Sequence, residues 1–199
     1  MNTIRNFNST GWIELITGCM FAGKTEEFIK RIHRHKFAKN KTIVFKPLID
    51  TRYSEKHIIS HSGAKLECIN VENSHKILDY YHKTVKKEPV KVVGIDEVQF
   101  LDEGIVDVIE MLANQGVIVI VNGLDKDFRS NPFKNVDKLL SSAEVVDKLL
   151  AVCFQCGADA NRTQRIVNGV PAKSDEPTIL ISGNEKYEAR CRKCYIRPE

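Results

Sequence analysis

Residues 18–25 read Gly-Cys-Met-Phe-Ala-Gly-Lys-Thr, the most informative stretch of the chain. Its spacing matches the phosphate loop, in which a glycine and four further residues precede Gly-Lys-Ser/Thr. The two glycines lack a Cβ atom, so the backbone can curl and point N–H groups at an anion. A lysine in the penultimate position suits the β- and γ-phosphates, and a final threonine hydroxyl suits Mg²⁺. The candidate ATP and Mg²⁺ residues of this stretch are Gly18, Cys19, Met20, Phe21, Ala22, Gly23, Lys24 and Thr25.

The sequence on both sides of the loop favours this interpretation over an ordinary glycine-containing turn. Residues 11–17 are short, apolar and rich in β-prone types, which predicts a buried strand. Beyond the loop, Phe28, Ile29 and Ile32 share one face of a predicted helix whose other faces are charged. A strand, the loop and a helix therefore follow one another in the order that a phosphate-binding site requires.

Composition limits the class of protein. The chain has 199 residues, of which 42% are hydrophobic and 28% charged, as in a soluble globular protein of one domain or of a domain with a small companion. Residues 1–10 are polar and no apolar run approaches the ~18 residues of a membrane span, so we expect a cytoplasmic protein without a membrane partner. The net charge of +4 is mild, and the basic residues within 30–41 are expected on a solvated helix face, so no nucleic-acid partner is predicted.

Further along the chain, the pattern alternates between strands and helices, which predicts an α/β fold with a mostly parallel sheet. Residues 41–46 complete a strand–helix–strand unit with the phosphate loop, and residues 117–121 are almost wholly apolar, as in a central strand covered on both sides. Other strands are predicted at 66–71, 90–95 and 144–153. Helices are predicted from residue 73 to about 87, over 101–115 and within 132–142.

Asp96 and Glu97 follow the apolar strand 90–95. An acidic residue at the end of such a strand is typical of the Mg²⁺ side of a phosphate-loop enzyme. Without the upstream loop, two surface carboxylates at a strand end would be the simpler explanation. With the loop present, the pair is predicted to lie in the active site.

The cysteines suggest a metal site. Cys153-x-x-Cys156 and Cys191-x-x-Cys194 form two pairs, and four thiolates in two short turns can surround one Zn²⁺. Two redox pairs and four structural thiols are the alternatives. Because all four ligands would come from the protein, the predicted zinc is structural.

Taken together, the motifs resemble the thymidine kinase family of animal cytosol, bacteria and poxviruses, over nearly the whole chain. Each motif alone is weak, but their order and spacing are specific. They are the loop 18–25, Asp50-Thr-Arg-Tyr-Ser54, His61-Ser-Gly63, Asp96-Glu-Val-Gln-Phe100, Gly123-Leu-Asp-Lys-Asp-Phe128, the first cysteine pair, Thr163-Gln-Arg165 and Lys186-Tyr-Glu-Ala-Arg-Cys-Arg-Lys-Cys194.

The resemblance implies a RecA-like phosphate-loop domain over residues 1–150 and a small zinc-ribbon-like lasso domain over residues 151–199. It also implies transfer of the γ-phosphate of ATP, with Mg²⁺, to the 5′-hydroxyl of thymidine; deoxyuridine is a further candidate acceptor. Members are usually homotetramers and are inhibited by thymidine triphosphate.

The resemblance also assigns roles to residues. Glu97 would be the general base, Asp96 would act on Mg²⁺, and Lys24 and Arg52 would stabilise the transferred phosphoryl group. The residues implied in substrate binding are Met20, Glu97, Gln99, Phe100, Leu124, Phe128, Thr163, Thr178, Ile179, Leu180, Ile181, Ser182 and Tyr187.

Each assignment has a plainer alternative. Taken singly, the apolar residues of that set are more often core residues than pocket walls, and Arg165 is explained equally well as a solvated charge. Cys19 and Ser182 depart from the proline and glycine that are common in the family at those positions, and a thiol beside bound phosphates suggests sensitivity to oxidation.

Two other classes of protein remain open at this point. One is a nucleic-acid-stimulated phosphate-loop ATPase with a zinc ribbon, against which the mild charge and the weakly basic 157–190 segment argue. The other is a non-catalytic zinc-stabilised interaction module, which leaves Lys24, Asp96 and Glu97 unexplained.

Overall fold

The computed structural model describes residues 11–49, 57–60, 62–178 and 185–199. In chain order, its elements are β1 (Trp12–Gly18), α1 (Lys24–Phe37), β2 (Thr42–Pro47), β3 (His57–Ile59), β4 (Lys65–Glu67), β5 (Ile69–Val71), α2 (Ser74–Val85), β6 (Val92–Ile95), a 3-10 turn (Val98–Phe100), α3 (Ile105–Asn114), β7 (Ile118–Leu124), α4 (Lys134–Ser142), β8 (Val145–Leu149), β9 (Ala151–Val152), β10 (Asp159–Ala160), β11 (Arg162–Val167), β12 (Val170–Pro171) and β13 (Glu185–Arg190).

The main sheet has the strand order β5-β2-β6-β7-β1-β8, and neighbouring strands are parallel. The carboxyl ends of parallel strands meet at one edge, which is where ligands bind in open α/β sheets. The loop after β1, Asp96 after β6 and the end of β7 therefore gather at this edge. The predicted α/β class with a mostly parallel sheet is confirmed.

Apolar side chains cover both faces of this sheet. On one face, α2, α3 and α4 pack through residues such as Ile77, Ile109 and Leu139. On the other, Phe28, Ile29 and Ile32 of α1 pack with the β3–β4 hairpin. Because these three buried side chains anchor α1 to the sheet, the amino end of α1 and the phosphate loop are fixed relative to the sheet.

The C-terminal region, which we define as residues 151–178 and 185–199, has antiparallel pairing instead. Strand β11 lies between β12 and β13, and β9 pairs with β10. Within the described residues, no helix is long and apolar enough to cross a membrane.

Three predicted elements differ from the structure by more than a small shift of their ends. The strand predicted over 144–153 is divided into β8, which joins the main sheet, and β9, which pairs antiparallel with β10. The strand predicted over 66–71 is likewise divided, since β4 forms a hairpin with β3 and β5 joins the sheet edge. The third helix starts at Ile105 because the Asp102 carboxylate holds Ser74 and the Gly104 N–H in a turn before it. Local propensity cannot distinguish such breaks, since pairing partners decide them.

Candidate active site

The phosphate loop occupies residues 19–23 between β1 and α1. Gly23 has φ +78°, a left-handed conformation that favours glycine, and it is the residue before the first turn of α1. The Lys24 ammonium donates to the Cys19 carbonyl oxygen over 2.8 Å, across the mouth of the loop. Burial lowers the pKa of Lys24, and the nearby Glu97, Cys19 and Asp96 oppose that shift. The loop therefore has the curled backbone and the buried cation that a polyphosphate site needs.

Two contacts join this loop to the C-terminal region. The Met20 N–H donates to the Thr163 hydroxyl over 3.1 Å, and the Cys19 thiol donates to the Ala160 carbonyl oxygen over 3.4 Å. Cys19 is 1% exposed, and burial raises the pKa of its thiol although Lys24 acts against this rise. A buried, protonated thiol reacts slowly, which argues against the oxidation sensitivity expected for Cys19.

Asp96 is held in place by the neighbouring strands. Its N–H donates to the Phe45 carbonyl oxygen over 2.9 Å, and the Asn122 amide donates to its carboxylate over 2.5 Å. Asn122 is itself 1% exposed. Sequence reasoning did not select Asn122, although its position at the end of β7 beside a predicted strand-end acid was a usable signal.

Glu97 has a left-handed backbone, with φ +49° and ψ +43°. Such a conformation is uncommon for a residue with a side chain, and it turns the chain directly after β6 into the 3-10 turn. The turn places Glu97 on the wall of the cavity described next.

A cavity of 340 Å³ lies at the carboxyl edge of the sheet. Most of the predicted ATP and substrate residues line it. They are Met20, Phe21, Ala22, Gly23, Lys24, Thr25, Asp96, Glu97, Phe100, Leu124, Phe128, Thr163, Thr178 and Tyr187. The arrangement brings the phosphate loop, an acidic pair and an aromatic wall around one space of ligand size.

Gln99 does not line this cavity, although it was predicted to bind substrate. Its amide nitrogen donates to the Glu97 carboxylate over 2.5 Å, and its amide oxygen accepts from the Leu124 N–H over 3.1 Å. A Cβ atom on Gly123 would come within 2.8 Å of the same amide oxygen, so a larger residue there would displace the Gln99 amide. Gln99 therefore lies behind Glu97 and connects it to β7.

Several cavity residues were missed by the sequence analysis. Lys46 is 2% exposed at the end of β2, and Lys126 and Asp127 follow β7. The β2 end was a usable signal, since its side chains meet the same sheet edge as Asp96. Phe133 and residues 57–59 of β3 complete the wall, but their approach depends on long-range packing that the local sequence does not show.

Arg165 is fully buried at 0% exposure, and its guanidinium pairs with Glu176 over 3.0 Å. The interpretation of Arg165 as a solvated charge is therefore wrong. From the sequence, a long cationic side chain in a short strand is expected at the surface. Only the tertiary contacts show that Arg165 is buried and paired with Glu176.

The four cysteines form one group. Their sulfur atoms all lie within 4.8 Å of one another, so the group can hold a metal ion. Gly157 has φ +74° and donates its N–H to the Cys153 carbonyl oxygen over 2.9 Å, which closes the first turn. Withdrawal from water raises the pKa of the Cys153 thiol, but backbone N–H groups of Cys191, Cys156 and Gln155 outweigh this and lower it to about 6, whereas hydrogen bonds with the Cys156 and Cys191 thiols raise the pKa of Cys194 to about 12. A thiolate is the form that binds metals.

Some predicted residues lie outside the described part of the chain. They are Arg52 with the motif 50–54, His61, and the substrate-binding candidates Ile179, Leu180, Ile181 and Ser182.

Comparison with known proteins agrees with this geometry. A family model described as thymidine kinase matches residues 11–195. A thymidine kinase of Mycoplasma capricolum subsp. capricolum is 61% identical over 194 residues, which cover 98% of this chain and 93% of that protein. A thymidine kinase of Mycoplasma mycoides subsp. mycoides SC matches to the same extent, and one of Mesoplasma florum is 60% identical over 93% of this chain and 91% of its own length. The chain therefore belongs to the thymidine kinase family, whose members are enzymes that phosphorylate thymidine.

Proposed function

We propose that this protein transfers the γ-phosphoryl group of ATP to the 5′-hydroxyl of thymidine. The single observation that carries the proposal is the shared cavity, in which Lys24 of the phosphate loop and Glu97 line the same space. Phosphoryl transfer needs a cradle for the donor and a positioned base for the acceptor, and this cavity has both.

On the donor side, the N–H groups of residues 18–25 and the buried ammonium of Lys24 bind the phosphates of ATP. The Thr25 hydroxyl and Asp96 are the proposed holders of Mg²⁺, which neutralises phosphate charge when it is bound with ATP. Asn122 orients the Asp96 carboxylate by the hydrogen bond described above. Arg52 is a further proposed cation at the phosphates, by resemblance to the family.

On the acceptor side, Glu97 accepts the proton of the 5′-hydroxyl as that oxygen attacks the γ-phosphorus. The bond between the γ-phosphorus and the bridging oxygen breaks, and ADP leaves. Met20, Phe100, Leu124 and Phe128 are proposed walls of the thymine pocket, with Thr163, Thr178 and Tyr187 at its C-terminal side. Residues 179–182 are proposed to hold the base through backbone groups, by resemblance, and deoxyuridine is a second proposed acceptor.

The metal that we propose for the four cysteines is a structural zinc ion. Zn–S bonds of ~2.3 Å in a tetrahedron place sulfur atoms ~3.8 Å apart. Cys156 and Cys191 have their sulfur atoms 3.6 Å apart, and the whole group fits within 4.8 Å. With four protein thiolates around it, the ion would have no open position for chemistry.

By resemblance to the family, we propose four further properties. They are a homotetramer, inhibition by thymidine triphosphate, a cytoplasmic location, and a domain boundary between residues 150 and 151.

The deciding experiment incubates the purified protein with ATP, Mg²⁺ and labelled thymidine and measures thymidine monophosphate. Lys24→Met is the negative control, since it removes the phosphate-loop cation. Formation of the monophosphate by the wild type alone supports the proposal. No product, together with ATP hydrolysis stimulated by DNA or RNA, would overturn it in favour of a nucleic-acid-dependent ATPase.

A further inference from the structure

Residues 174–178, which we call the stem, directly precede the segment proposed to hold the base. The stem contains no helix or strand, so no backbone ladder fixes it. At its far end Thr178 lines the cavity. Whatever holds the stem therefore sets where the base-binding segment begins.

Arg129 makes an extended set of contacts with the stem. Its guanidinium donates to the Ser174 carbonyl oxygen and to the Thr178 hydroxyl, each over 2.8 Å, and also to the Glu176 carbonyl oxygen. The Asp127 carboxylate accepts a hydrogen bond from the same guanidinium over 3.1 Å and helps to orient it. One side chain from the loop after β7 thus holds three residues of the stem.

Arg165 holds the stem from β11. It donates to the Pro177 carbonyl oxygen over 2.7 Å and pairs with the Glu176 carboxylate over 3.0 Å. A fully buried guanidinium is stable only if its charge and N–H donors have partners, so the stem is a required part of its environment. Arg165 is also directly opposite Tyr187 in the β11–β13 register, which places it beside another cavity residue.

Both arginines meet at Phe128. The guanidinium carbons of Arg129 and Arg165 lie over the Phe128 ring, 4.5 Å and 5.2 Å from its centroid. Phe128 is 3% exposed and forms part of the cavity wall. The Tyr195 hydroxyl donates to the Phe128 carbonyl oxygen over 2.6 Å, which fixes the wall from the C-terminal side as well.

We propose that Arg129 and Arg165 form an arginine clamp that positions the stem and the Phe128 wall for nucleoside binding. The clamp contacts given above all lie on the acceptor side of the cavity, so we expect the clamp to act on thymidine affinity and not on ATP affinity. Both are positioning residues, since they work through Phe128 and the stem. This inference rests on the proposed function.

The test uses Arg129→Lys and Arg165→Lys in the full chain. Lysine keeps the charge but lacks the planar fork that reaches several acceptors at once. Losing charged hydrogen bonds of this kind should raise the KM and the calorimetric Kd for thymidine by about tenfold or more. The KM for ATP should stay within about twofold, because the phosphate loop keeps its contacts.

Two further variants protect the test against misfolding. Glu176→Gln, at a half-buried position, removes only the charge that faces Arg165 and should raise the thymidine KM by about threefold. Lys173→Gln, an exposed residue next to the stem, is the matched control and should leave both KM values unchanged.

The outcomes separate the clamp from the proposed function. A wild-type protein that forms no thymidine monophosphate overturns the function itself. An active wild type whose arginine variants keep a thymidine KM within twofold overturns the clamp. Equal rises in both KM values would also overturn it, because they would indicate general damage. A selective rise for thymidine supports it.

Discussion

The main sheet with its helices and the C-terminal region bury very different side chains. In the first, most large buried residues are aliphatic or aromatic, and they lie on both faces of the six-stranded sheet. In the second, the buried apolar group consists of small residues, alanines and cysteines, to which Cys19 of the phosphate loop contributes. Its larger buried side chains are polar or charged, such as Gln164, Arg165 and Glu188.

The two parts are held together by different interactions. Burial of apolar surface stabilises the folded state by roughly 25 cal/mol per Å². The main sheet and its helices bury a large apolar surface. The C-terminal region has little, so its order depends on the cysteine group, on hydrogen bonds of buried polar groups and on its contacts with the phosphate loop. We therefore expect changes in the two parts to have different consequences.

The largest expected effect is that of removing a metal ligand. Cys156→Ser should abolish stoichiometric zinc, because zinc binding supplies about 10–16 kcal/mol of folding free energy in small zinc modules. Amide hydrogen exchange should become fast in β11 and β13 and stay slow in β1 and β7. Thymidine affinity should fall with the loss of order.

The control for that change is Cys68→Ser, which alters a buried cysteine far from the group. It should keep its zinc, as measured by atomic emission. If Cys156→Ser retained one zinc per chain and normal thymidine affinity, the C-terminal region would not depend on the metal and the comparison would fail.

The next effect is on chemistry and should leave both parts folded. Glu97→Gln should lower kcat by about 10²–10⁴-fold, the usual contribution of a general base, while ATP binding and zinc content stay unchanged. Glu103→Gln, at an exposed acidic position, should behave like the wild type. A near-normal kcat for Glu97→Gln would exclude Glu97 as the base.

A smaller effect is expected at Gln99, which donates a hydrogen bond to the Glu97 carboxylate. Gln99→Leu removes both the hydrogen bond to Glu97 and the one to the Leu124 N–H, and should lower kcat by about tenfold with little change in the KM for ATP. Steady-state kinetics with each substrate varied in turn measures this. A rise in thymidine KM at constant kcat would instead support the direct substrate contact predicted for Gln99.

The smallest effect is expected at the start of α2, a helix that packs on the main sheet. Asn73 accepts a hydrogen bond from the Lys76 N–H at the start of α2, over 3.2 Å. Asn73→Ala should lower the free energy of unfolding by about 1 kcal/mol, as for other helix caps, without changing zinc content or kcat. Urea unfolding measures it, and a loss of zinc from this variant would contradict the independence of the two parts.

Much of the fold was predictable because its signals are local. Each of these signals lies within a short stretch of sequence. They are the phosphate loop, the apolar runs at β1, β6 and β7, and the amphipathic pattern of α1. The divided strands at 66–71 and 144–153 were not predicted, since a strand's partner is a long-range choice. Arg165 was ambiguous for the same reason. Its acceptors lie on the stem, outside β11, and the local sequence does not show that they will pair with it.

For the candidate site, short sequence motifs were enough to predict which chemical groups are present: a phosphate loop, a strand-end acidic pair and two cysteine pairs. How these groups combine depends on the tertiary structure. It placed Gln99 behind Glu97, Asn122 on Asp96, Thr163 on the phosphate loop, and two arginines on the stem. The physical reason is that hydrogen bonds and buried ion pairs join residues tens of positions apart, and their partners are chosen by packing, which leaves no local pattern in the chain.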